Sequence, residues 1–394
     1  MKKRNKGNGA LNVKNMVSEN VQNIEISGIR KFYNKVVKVP EAVSLTLGQP
    51  DFNVPDKIKK AMINAIMDNK TTYTSNAGII ELRCEISKYL RDEFNINYNE
   101  EEICLTVGGS QGLLSTFTAL INKGDKVLIP TPAYPAYESC VKILGGEVLN
   151  YKLNDDFSIN HEKLYEIIMK ENPKIMVLSY PCNPTGAILT KDDKEKIYSL
   201  IKEKDIVVVT DEIYSSLCFE KEYYSIAQYK DIKEKIVLVS GFSKMFSMTG
   251  LRLGYVCADS KLMNNIMKVH QYNVSCAPSI VQWGAYEGIR SCLGDVEYMK
   301  NEFIKRRDYV YKRLIEMGFE VNLPKGAFYI FPCIKKFNMT SDEFCEKLLN
   351  EAKVAVVPGS AFGKGGEGYL RISYCCSMEE LKEALNRIEN CIKK

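Results

Sequence analysis

The chain has 394 residues, a length that suits two domains sharing an interface, and its 45% hydrophobic and 26% charged residues are ordinary for a globular protein. No apolar run approaches the length of a membrane span and the net charge of +5 is modest, so composition argues against a membrane protein. The 13 cysteines are odd in number and include no Cys-x-x-Cys pair, which favours a reduced, cytoplasmic chain. With only two histidines, we expect no histidine-based metal site.

The chain begins with a basic stretch that contains no acidic residue among its first 15 positions; its cations are Lys2, Lys3, Arg4, Lys6 and Lys14. We expect residues 1–19 to form a solvated, disordered leader. An arm that binds nucleic acid is the alternative, although no nucleic-acid-binding fold is recognisable elsewhere in the sequence. No apolar region follows these cations, so the stretch does not resemble a secretory signal.

A helix is predicted for residues 56–70. Pro55 suits the position before its start, and Ile58, Met62 and Ile66 recur at four-residue spacing, which places them on one helical face. The residues before this helix, 20–50, are expected to pack with the C-terminal part of the chain.

Beyond residue 100, short runs rich in β-branched residues alternate with helical stretches. The predicted strands are residues 103–107, 126–129, 147–151, 174–178, 206–209, 235–239 and 253–258. Continuous apolar strands separated by helices indicate a mostly parallel sheet covered on both faces. We therefore predict an α/β fold with a large domain over residues 51–293.

The last hundred residues have a different pattern. A long charged helix, predicted for 294–317, leads to the apolar run 328–331, and then to a helix, two strands and a final helix. This order predicts a smaller α+β domain over residues 294–394, with residues 20–50 packed against it.

Residues that can carry chemistry follow four of the predicted strands. The segments in question are Gly-Gly-Ser-Gln-Gly at 108–112, Ser-Tyr-Pro-Cys-Asn-Pro-Thr-Gly at 179–186, Thr-Asp-Glu-Ile-Tyr at 210–214 and Ser-Gly-Phe-Ser-Lys at 240–244. In open α/β sheets ligands bind at the carboxyl ends of the strands, so an anion cradle, an amide, a carboxylate and a lysine should meet at one rim. Pyridoxal phosphate requires such a set: a lysine for its aldehyde, an acid at its ring nitrogen, donors at its phenolic oxygen and a phosphate cup.

From about residue 20 to its end, the chain resembles the fold-type I aminotransferases of class I and II. The matching stretches are residues 44–52, 73–83, 183–186, 211–214 and 243–252. Within that family it is most similar to the N-acetyl-diaminopimelate aminotransferases of Gram-positive bacteria, and residues 27–32, 269–276 and 326–332 carry this closer likeness. Related subgroups that use aspartate, alanine or aromatic amino acids share most of these motifs.

The resemblance implies roles for the residues that hold the cofactor ring. Lys244 would form the Schiff base and then shuttle the proton, and Asp211 would keep the ring nitrogen protonated because an opposite charge favours the charged form. Asn183 and Tyr214 would contact the phenolic oxygen, and Tyr134 would stack on the ring. Each has a simpler alternative: a solvated lysine, a helix-capping aspartate, an ordinary Asn-Pro turn and core tyrosines.

The resemblance also implies a phosphate cup, whose predicted members are Gly109, Ser110, Gln111, Ser243 and Arg252. Many relatives carry serine three residues before the lysine, whereas this chain has Gly241 there. Either Ser240 or Ser243 could therefore supply the hydroxyl. Tyr73 matches a tyrosine that reaches the phosphate of a partner subunit, which implies a homodimer with shared active sites.

Two further residues are expected to bind the substrate together with Asn183. The resemblance gives Arg371 the α-carboxylate, for which a planar guanidinium is well suited, while a surface arginine on a strand is the alternative. Gly48, in the early loop, would border the same carboxylate.

The sequence thus predicts an aminotransferase that moves an amino group from an amino acid to a keto acid, with 2-oxoglutarate as the expected acceptor. N-acetyl-LL-diaminopimelate, in lysine biosynthesis, is the candidate donor. A C–S β-lyase is an alternative because lyases of this fold share the lysine and aspartate. A non-catalytic regulator that uses the basic leader on nucleic acid is the alternative from another class.

Overall fold

A computed structural model describes residues 16–393 of the chain. The predictions made for residues 1–15, a disordered leader or a nucleic-acid arm, fall outside the described residues. Glu19, the last residue of the predicted leader, begins a helix of a single turn. Within residues 16–393, none of the helices combines the length and the hydropathy that a membrane span requires.

The helices of the described part vary from one turn to 24 residues. In chain order they are α1 (Glu19–Gln22), α2 (Gly28–Val36), α3 (Asp56–Met67), α4 (Ile80–Phe94), α5 (Gly108–Leu120), α6 (Ala136–Ile143), α7 (His161–Glu171), α8 (Lys191–Lys202), α9 (Phe242–Met245), α10 (Ser260–Val274), α11 (Ser279–Ser291), α12 (Leu293–Glu316), α13 (Ser341–Lys347) and α14 (Met378–Ile392).

The strands of the described part form one large sheet and two small ones. They are β1 (Val43–Ser44), β2 (Ile103–Thr106), β3 (Lys126–Thr131), β4 (Glu147–Lys152), β5 (Ile175–Ser179), β6 (Val207–Asp211), β7 (Ile236–Gly241), β8 (Gly254–Ala258), β9 (Tyr329–Ile330), β10 (Val354–Ala355), β11 (Val357–Pro358) and β12 (Leu370–Ser373). The large sheet has seven strands in the order β2-β8-β7-β6-β5-β3-β4. Only β8 runs antiparallel to its neighbours, so the prediction of a mostly parallel α/β sheet is confirmed.

Both faces of the large sheet are covered by helices. Alternate residues of a strand point to opposite faces, and in β7 Val237 and Val239 join one hydrophobic cluster while Leu238 joins the other. Helices α5, α6 and α10 pack on the first face, and α4, α7, α8 and α11 on the second. Burial on both faces explains why the strands are almost uniformly apolar.

Two helices differ in extent from the sequence prediction. Helix α3 ends at Met67, three residues before the predicted end. Helix α5 begins at Gly108, whereas the sequence places the helical run after the glycines, from Leu113, so the glycine-rich segment forms the first helical turns. The glycines allow this because α5 lies tightly on the sheet: a Cβ on Gly112 would lie 2.9 Å from Cγ2 of Val256.

The two ends of the chain build a second, smaller core. Strands β11, β12 and β9 form an antiparallel sheet, and β1 pairs in parallel with β10. Phe32, Val36 and Leu45 from the N-terminal segment are buried in the same cluster as side chains of α12, α13 and α14. The backbone N–H of Leu45 donates to the carbonyl of Ala355 at 2.8 Å. The domain boundary near residue 293 stays a prediction.

Candidate active site

A cavity of about 420 Å³ opens at the carboxyl ends of β5, β6 and β7, between the two cores. Eleven of the residues selected from the sequence line it: Gly48, Gly109, Ser110, Tyr134, Asn183, Asp211, Tyr214, Ser243, Lys244, Arg252 and Arg371. These residues come from seven separate stretches of chain, so only the fold brings them together.

Lys244 lies in α9, the short helix that follows β7 directly. Burial lowers the pKa of its amine to about 8, and the positive charges of Arg371 and Arg252 act in the same direction. The amine donates a hydrogen bond to the carbonyl of Gly48. A lysine with a lowered pKa has more of the neutral, nucleophilic amine near physiological pH than a solvated lysine has.

Asp211 is the last residue of β6 and is buried. Burial raises the pKa of its carboxyl above the usual value, whereas hydrogen bonds oppose that rise. The Tyr137 hydroxyl donates to Oδ2 at 2.8 Å, and the backbone N–H of Ile213 donates to Oδ1 at 3.2 Å. The Tyr137 oxygen also lies 2.9 Å from Oγ of Ser179. These donors hold the carboxylate in one orientation at the floor of the cavity.

Arg371 leaves the middle of β12 and is only 2% exposed, so it is not a surface arginine. Its Nη2 donates to the carbonyl of Thr46 at 2.8 Å and its Nη1 to Oδ1 of Asn183 at 3.0 Å. The guanidinium lies 4.4 Å from the ring centre of Tyr329 and 5.0 Å from that of Phe362. Within residues 16–393 no carboxylate pairs with it, and its buried Nε has no hydrogen-bond partner. A buried charge in this state is suited to an anionic ligand.

A second anion cradle lies where α5 begins. Its first amides have no partner within the helix and point away from it, which suits a phosphate group. Neighbouring groups leave no room for side chains here: a Cβ on Gly108 would lie 2.5 Å from Nη2 of Arg252, and one on Gly254 would lie 2.7 Å from the nitrogen of Gly109. Arg252 has a left-handed backbone and donates to the carbonyl of Thr249 at 2.8 Å.

The structure distinguishes the two serines that the sequence left as alternatives. The hydroxyl of Ser240 donates to the carbonyl of Glu212 at 3.0 Å, and Ser240 is not among the residues that line the cavity. Ser243 does line the cavity. Of the two, Ser243 is therefore the one available to a ligand.

Two of the residues selected from the sequence do not line the cavity. The side chain of Gln111 accepts from the backbone N–H of Val107 at 3.1 Å, donates to Oγ of Ser115 at 2.7 Å and lies 3.2 Å from Nδ1 of His270. It therefore braces α5 instead of facing a ligand. Tyr73 is 86% exposed on the outside of the chain.

Sequence reasoning missed several residues that shape the site. Tyr137 donates to the carboxylate of Asp211, and Ser179 contacts the Tyr137 hydroxyl. The Tyr329 hydroxyl lies 2.9 Å from that of Tyr214. Tyr137 follows Tyr134 by three positions at the start of α6, a helical spacing that could have drawn attention to it. Tyr329 carried no such local signal, because its contact with Tyr214 spans 115 positions.

The donor set of the cavity fits pyridoxal phosphate. This cofactor and an amino-acid carboxylate would contact five kinds of group, and all of them line the cavity: a lysine of lowered pKa, a buried carboxylate, a tyrosine, an anion cradle with an arginine, and a separate buried arginine. Two observations agree with two anion sites in the cavity. The backbone at Gly108 and Gly254 leaves no room for side chains beside the cradle, and the buried Nε of Arg371 has no partner among the described residues. Fold and cavity together define a fold-type I enzyme that acts on amino acids.

Comparison with known proteins establishes the family. The model of the aminotransferase class I and II family matches residues 40–388, so the chain belongs to that family. It is 43% identical over 384 residues to the probable N-acetyl-LL-diaminopimelate aminotransferase of Bacillus subtilis, with 97% of each chain covered. It is 40% identical over 385 residues to an aspartate aminotransferase of Pyrococcus abyssi, covering 96% of this chain and 98% of the relative.

Solved structures agree with the family assignment. The aromatic aminotransferase of Pyrococcus horikoshii superposes with a TM-score of 0.87 at 39% identity, covering 92% of this chain and 98% of that one. The Thermus thermophilus aspartate aminotransferase with maleate gives 0.90 at 32% identity, covering 95% and 99%. The chain is therefore a pyridoxal-phosphate-dependent transaminase, and the predicted fold type, cofactor and reaction class are confirmed.

Proposed function

We propose that this transaminase moves an amino group between N-acetyl-LL-diaminopimelate and 2-oxoglutarate, in a cytoplasmic biosynthetic role. The observation that carries the proposal is that Arg371, buried and without a carboxylate partner in residues 16–393, faces the same cavity as Lys244. A fixed carboxylate-binding arginine beside a reactive amine is what an α-amino acid requires. Similarity to the Bacillus subtilis relative supports the donor, and the scattered cysteines suit a reducing compartment.

Lys244 holds the cofactor at rest and later moves the proton. Pyridoxal phosphate, when bound, supplies an aldehyde that takes the amino nitrogen and a protonated ring that accepts the electron pair left at the α-carbon. The Lys244 amine, when not bonded to the cofactor, would be the base that removes the α-proton of the substrate and the acid that returns it. Its pKa of about 8 supports this, because a usable fraction of the amine is neutral near physiological pH.

Four other residues orient the ring. Asp211 would keep a positive charge on the ring nitrogen, and the hydrogen bond from Tyr137 favours the ionised carboxylate and aligns it. Tyr214 and Asn183 would act at the phenolic oxygen, and Tyr134 would cover a ring face. The contact of Asn183 with Arg371 links the ring to the substrate carboxylate.

The N-terminus of α5 and two further side chains would hold the phosphate. Gly109 and Ser110 offer amides, while Ser243 and Arg252 offer a hydroxyl and a charge. Gln111 supports the cup from outside through its bond to the Val107 amide.

Arg371 and Gly48 fix the substrate. The two Nη atoms of Arg371 are held by Thr46 and Asn183, so the guanidinium plane is set before a substrate arrives. Gly48 is also held, since its carbonyl accepts from Lys244 and a Cβ there would lie 3.0 Å from the Tyr329 hydroxyl. Only a small residue suits the place where the α-carboxylate would lie.

A homodimer with shared active sites completes the proposal. Tyr73 is highly exposed, and α3 exposes Ile63, Ile66 and Met67 beside it in sequence. An apolar groove lies between this helix and residues 278–281 at the start of α11, and Leu251, next to Arg252 in sequence, also lines it. Exposed apolar surface of this extent supports a protein contact, and Tyr73 of one chain would reach the phosphate cup of the other.

The decisive experiment replaces the lysine and surveys the donors. Purified protein should carry a chromophore that borohydride traps on the chain, and Lys244→Ala should lack it while Lys261→Ala, on the exposed start of α10, keeps it. N-acetyl-LL-diaminopimelate, aspartate and alanine are then compared as donors to 2-oxoglutarate. Turnover of the first at least as fast as that of aspartate and alanine supports the proposed donor. Release of pyruvate and ammonia from cystathionine without any keto acid would instead favour the β-lyase.

A further inference from the structure

The cavity contains one more cation than the proposed reaction uses. The cationic residues lining it are Arg30, Lys244, Arg252 and Arg371, and Asp211 is the only acidic residue of the lining within residues 16–393. The proposed function gives Lys244 the amino chemistry, Arg252 the phosphate and Arg371 the α-carboxylate. Arg30 has no anion assigned to it.

Arg30 differs from the cation beside it. Within residues 16–393, Lys31 pairs with Glu25 at 2.7 Å and lines another cavity, whereas no carboxylate pairs with Arg30. The guanidinium of Arg30 lies 5.6 Å from the ring centre of Tyr33, which also lines the active-site cavity. An unpaired guanidinium at a cavity wall attracts anions and binds carboxylates with two parallel hydrogen bonds.

The helix that carries Arg30 is fixed against the smaller core. Phe32 and Val36 are buried on its inner face. At its start a Cβ on Gly28 would lie 2.8 Å from Cβ of Ala361, so α2 rests closely on the turn after β11. This packing holds the exposed side chain of Arg30, on the face of α2 opposite Phe32, at the cavity wall.

We infer that Arg30 is a specificity-determining residue that binds the second carboxylate of a dicarboxylic substrate. The inference rests on the proposed function and narrows its substrate class. Glutamate and 2-oxoglutarate carry a distal carboxylate, and N-acetyl-LL-diaminopimelate carries one at its acetylated end. One cation on α2 therefore serves both halves of the reaction, while Arg371 binds the carboxylate next to the reacting carbon.

The test compares keto acids with and without a second carboxylate. In Arg30→Gln, kcat/KM should fall about 10- to 100-fold for 2-oxoglutarate, the loss expected for a hydrogen bond to a charged group, and change by less than about 3-fold for pyruvate. Arg30→Lys should recover part of the loss. Lys31→Gln removes the same charge from the same helix and should leave both values unchanged.

Equilibrium binding gives a readout that does not depend on turnover. By calorimetry, Arg30→Gln should weaken the binding of glutarate but not of valerate, a five-carbon acid with a single carboxylate. Equal losses for both keto acids, or no loss for 2-oxoglutarate, would overturn the inference. If pyruvate turnover and the trapped chromophore persist in that case, the transaminase proposal stands and only the role of Arg30 is wrong.

Discussion

Two titratable residues at the floor of the cavity are held in environments that oppose their charges. Burial raises the pKa of Asp211 and lowers that of Lys244, so both neutral forms are favoured relative to solvated side chains. A bound ring cation would favour the charged form of Asp211, and a covalent bond would remove the free amine of Lys244. The surroundings of both side chains are thus suited to a bound cofactor, which would supply the ring cation and the aldehyde.

The first prediction concerns the rate at which cofactor-free protein captures pyridoxal phosphate. Only the neutral amine of Lys244 attacks an aldehyde, and this form increases as pH rises through its pKa of about 8. The capture rate should therefore rise about tenfold per pH unit below that value and level off above it. Stopped-flow absorbance measures this directly. A rate that still climbs toward pH 10, as for a solvated lysine, would contradict the lowered pKa.

The second prediction concerns Tyr137→Phe. Loss of its hydrogen bond to Asp211 raises the pKa of that carboxyl further, so a higher pH is needed to keep it ionised. The acidic limb of the kcat/KM profile should move to higher pH, and kcat should fall about tenfold. Tyr151→Phe is the control, because Tyr151 is buried and its hydroxyl has no partner among the described residues. An unshifted acidic limb would show that Tyr137 is not needed to keep Asp211 ionised.

Residues at strand ends could be predicted individually because their signal is local. An apolar run followed by Asp211 or Lys244 is visible in a few letters of sequence. The direction of the Gln111 side chain could not be predicted in this way, because it depends on the residue at which α5 begins. With Gly108 as the first helical residue, Gln111 falls in the first turn and satisfies the free Val107 amide, as helix-capping side chains do.

At the scale of elements, the phosphate cup depends on contact between α5 and β8. Gly254 is the first residue of β8, and a Cβ built on it would point at the backbone of Gly108 and Gly109. Two backbones this close leave no room for any side chain between them. The seven strands of the large sheet were predicted with small errors at their ends, whereas the helix after β2 was expected to begin only after the glycines. Glycine alone does not reveal whether it permits a loop or close packing.

The third prediction tests this contact. In Gly254→Ala the new Cβ would lie 2.7 Å from the nitrogen of Gly109 and 2.8 Å from the carbon of Gly108, so backbone must move. We expect a stability loss of about 1–3 kcal/mol together with weaker cofactor binding. Gly294→Ala, in α12 with no atom within 4 Å of the new carbon, should cost nothing. Denaturant titration measures the stability loss, and a binding titration measures the affinity for the cofactor. Unchanged cofactor affinity in Gly254→Ala would show that the phosphate cup does not depend on this contact.

At the scale of the whole molecule, the site is assembled from distant parts of the chain. Arg371 contacts Thr46 across 325 positions and Asn183 across 188. Sequence periodicity carries no information at such separations, so the smaller domain was predicted only in outline and the cavity wall formed by α2 was not predicted. The role of Arg371 in this site was predicted from the resemblance to a family, because no local pattern indicates it.

The fourth prediction concerns the proposed dimer. Ile66→Asp places a charge on the exposed apolar face of α3, where Ile66 is 50% exposed. If this face is buried between two chains, the change should cost about 2 kcal/mol or more of association energy, and activity should fall because Tyr73 no longer reaches the neighbouring site. Met169→Asp, at 49% exposure on α7, is the control. Light scattering across a concentration series measures the mass, and an unchanged dimer would exclude α3 from the interface.

The pairing of β1 with β10, together with the bond from Arg371 to Thr46, has a consequence for synthesis on the ribosome. The early segment at residues 43–46 emerges long before the strands that bind it, which follow residue 353. The strands of the large sheet are complete once residue 258 has been synthesised, yet the substrate pocket stays open until Arg371 has followed. A chain that stops before Arg371 would therefore lack the guanidinium that is proposed to bind the substrate carboxylate.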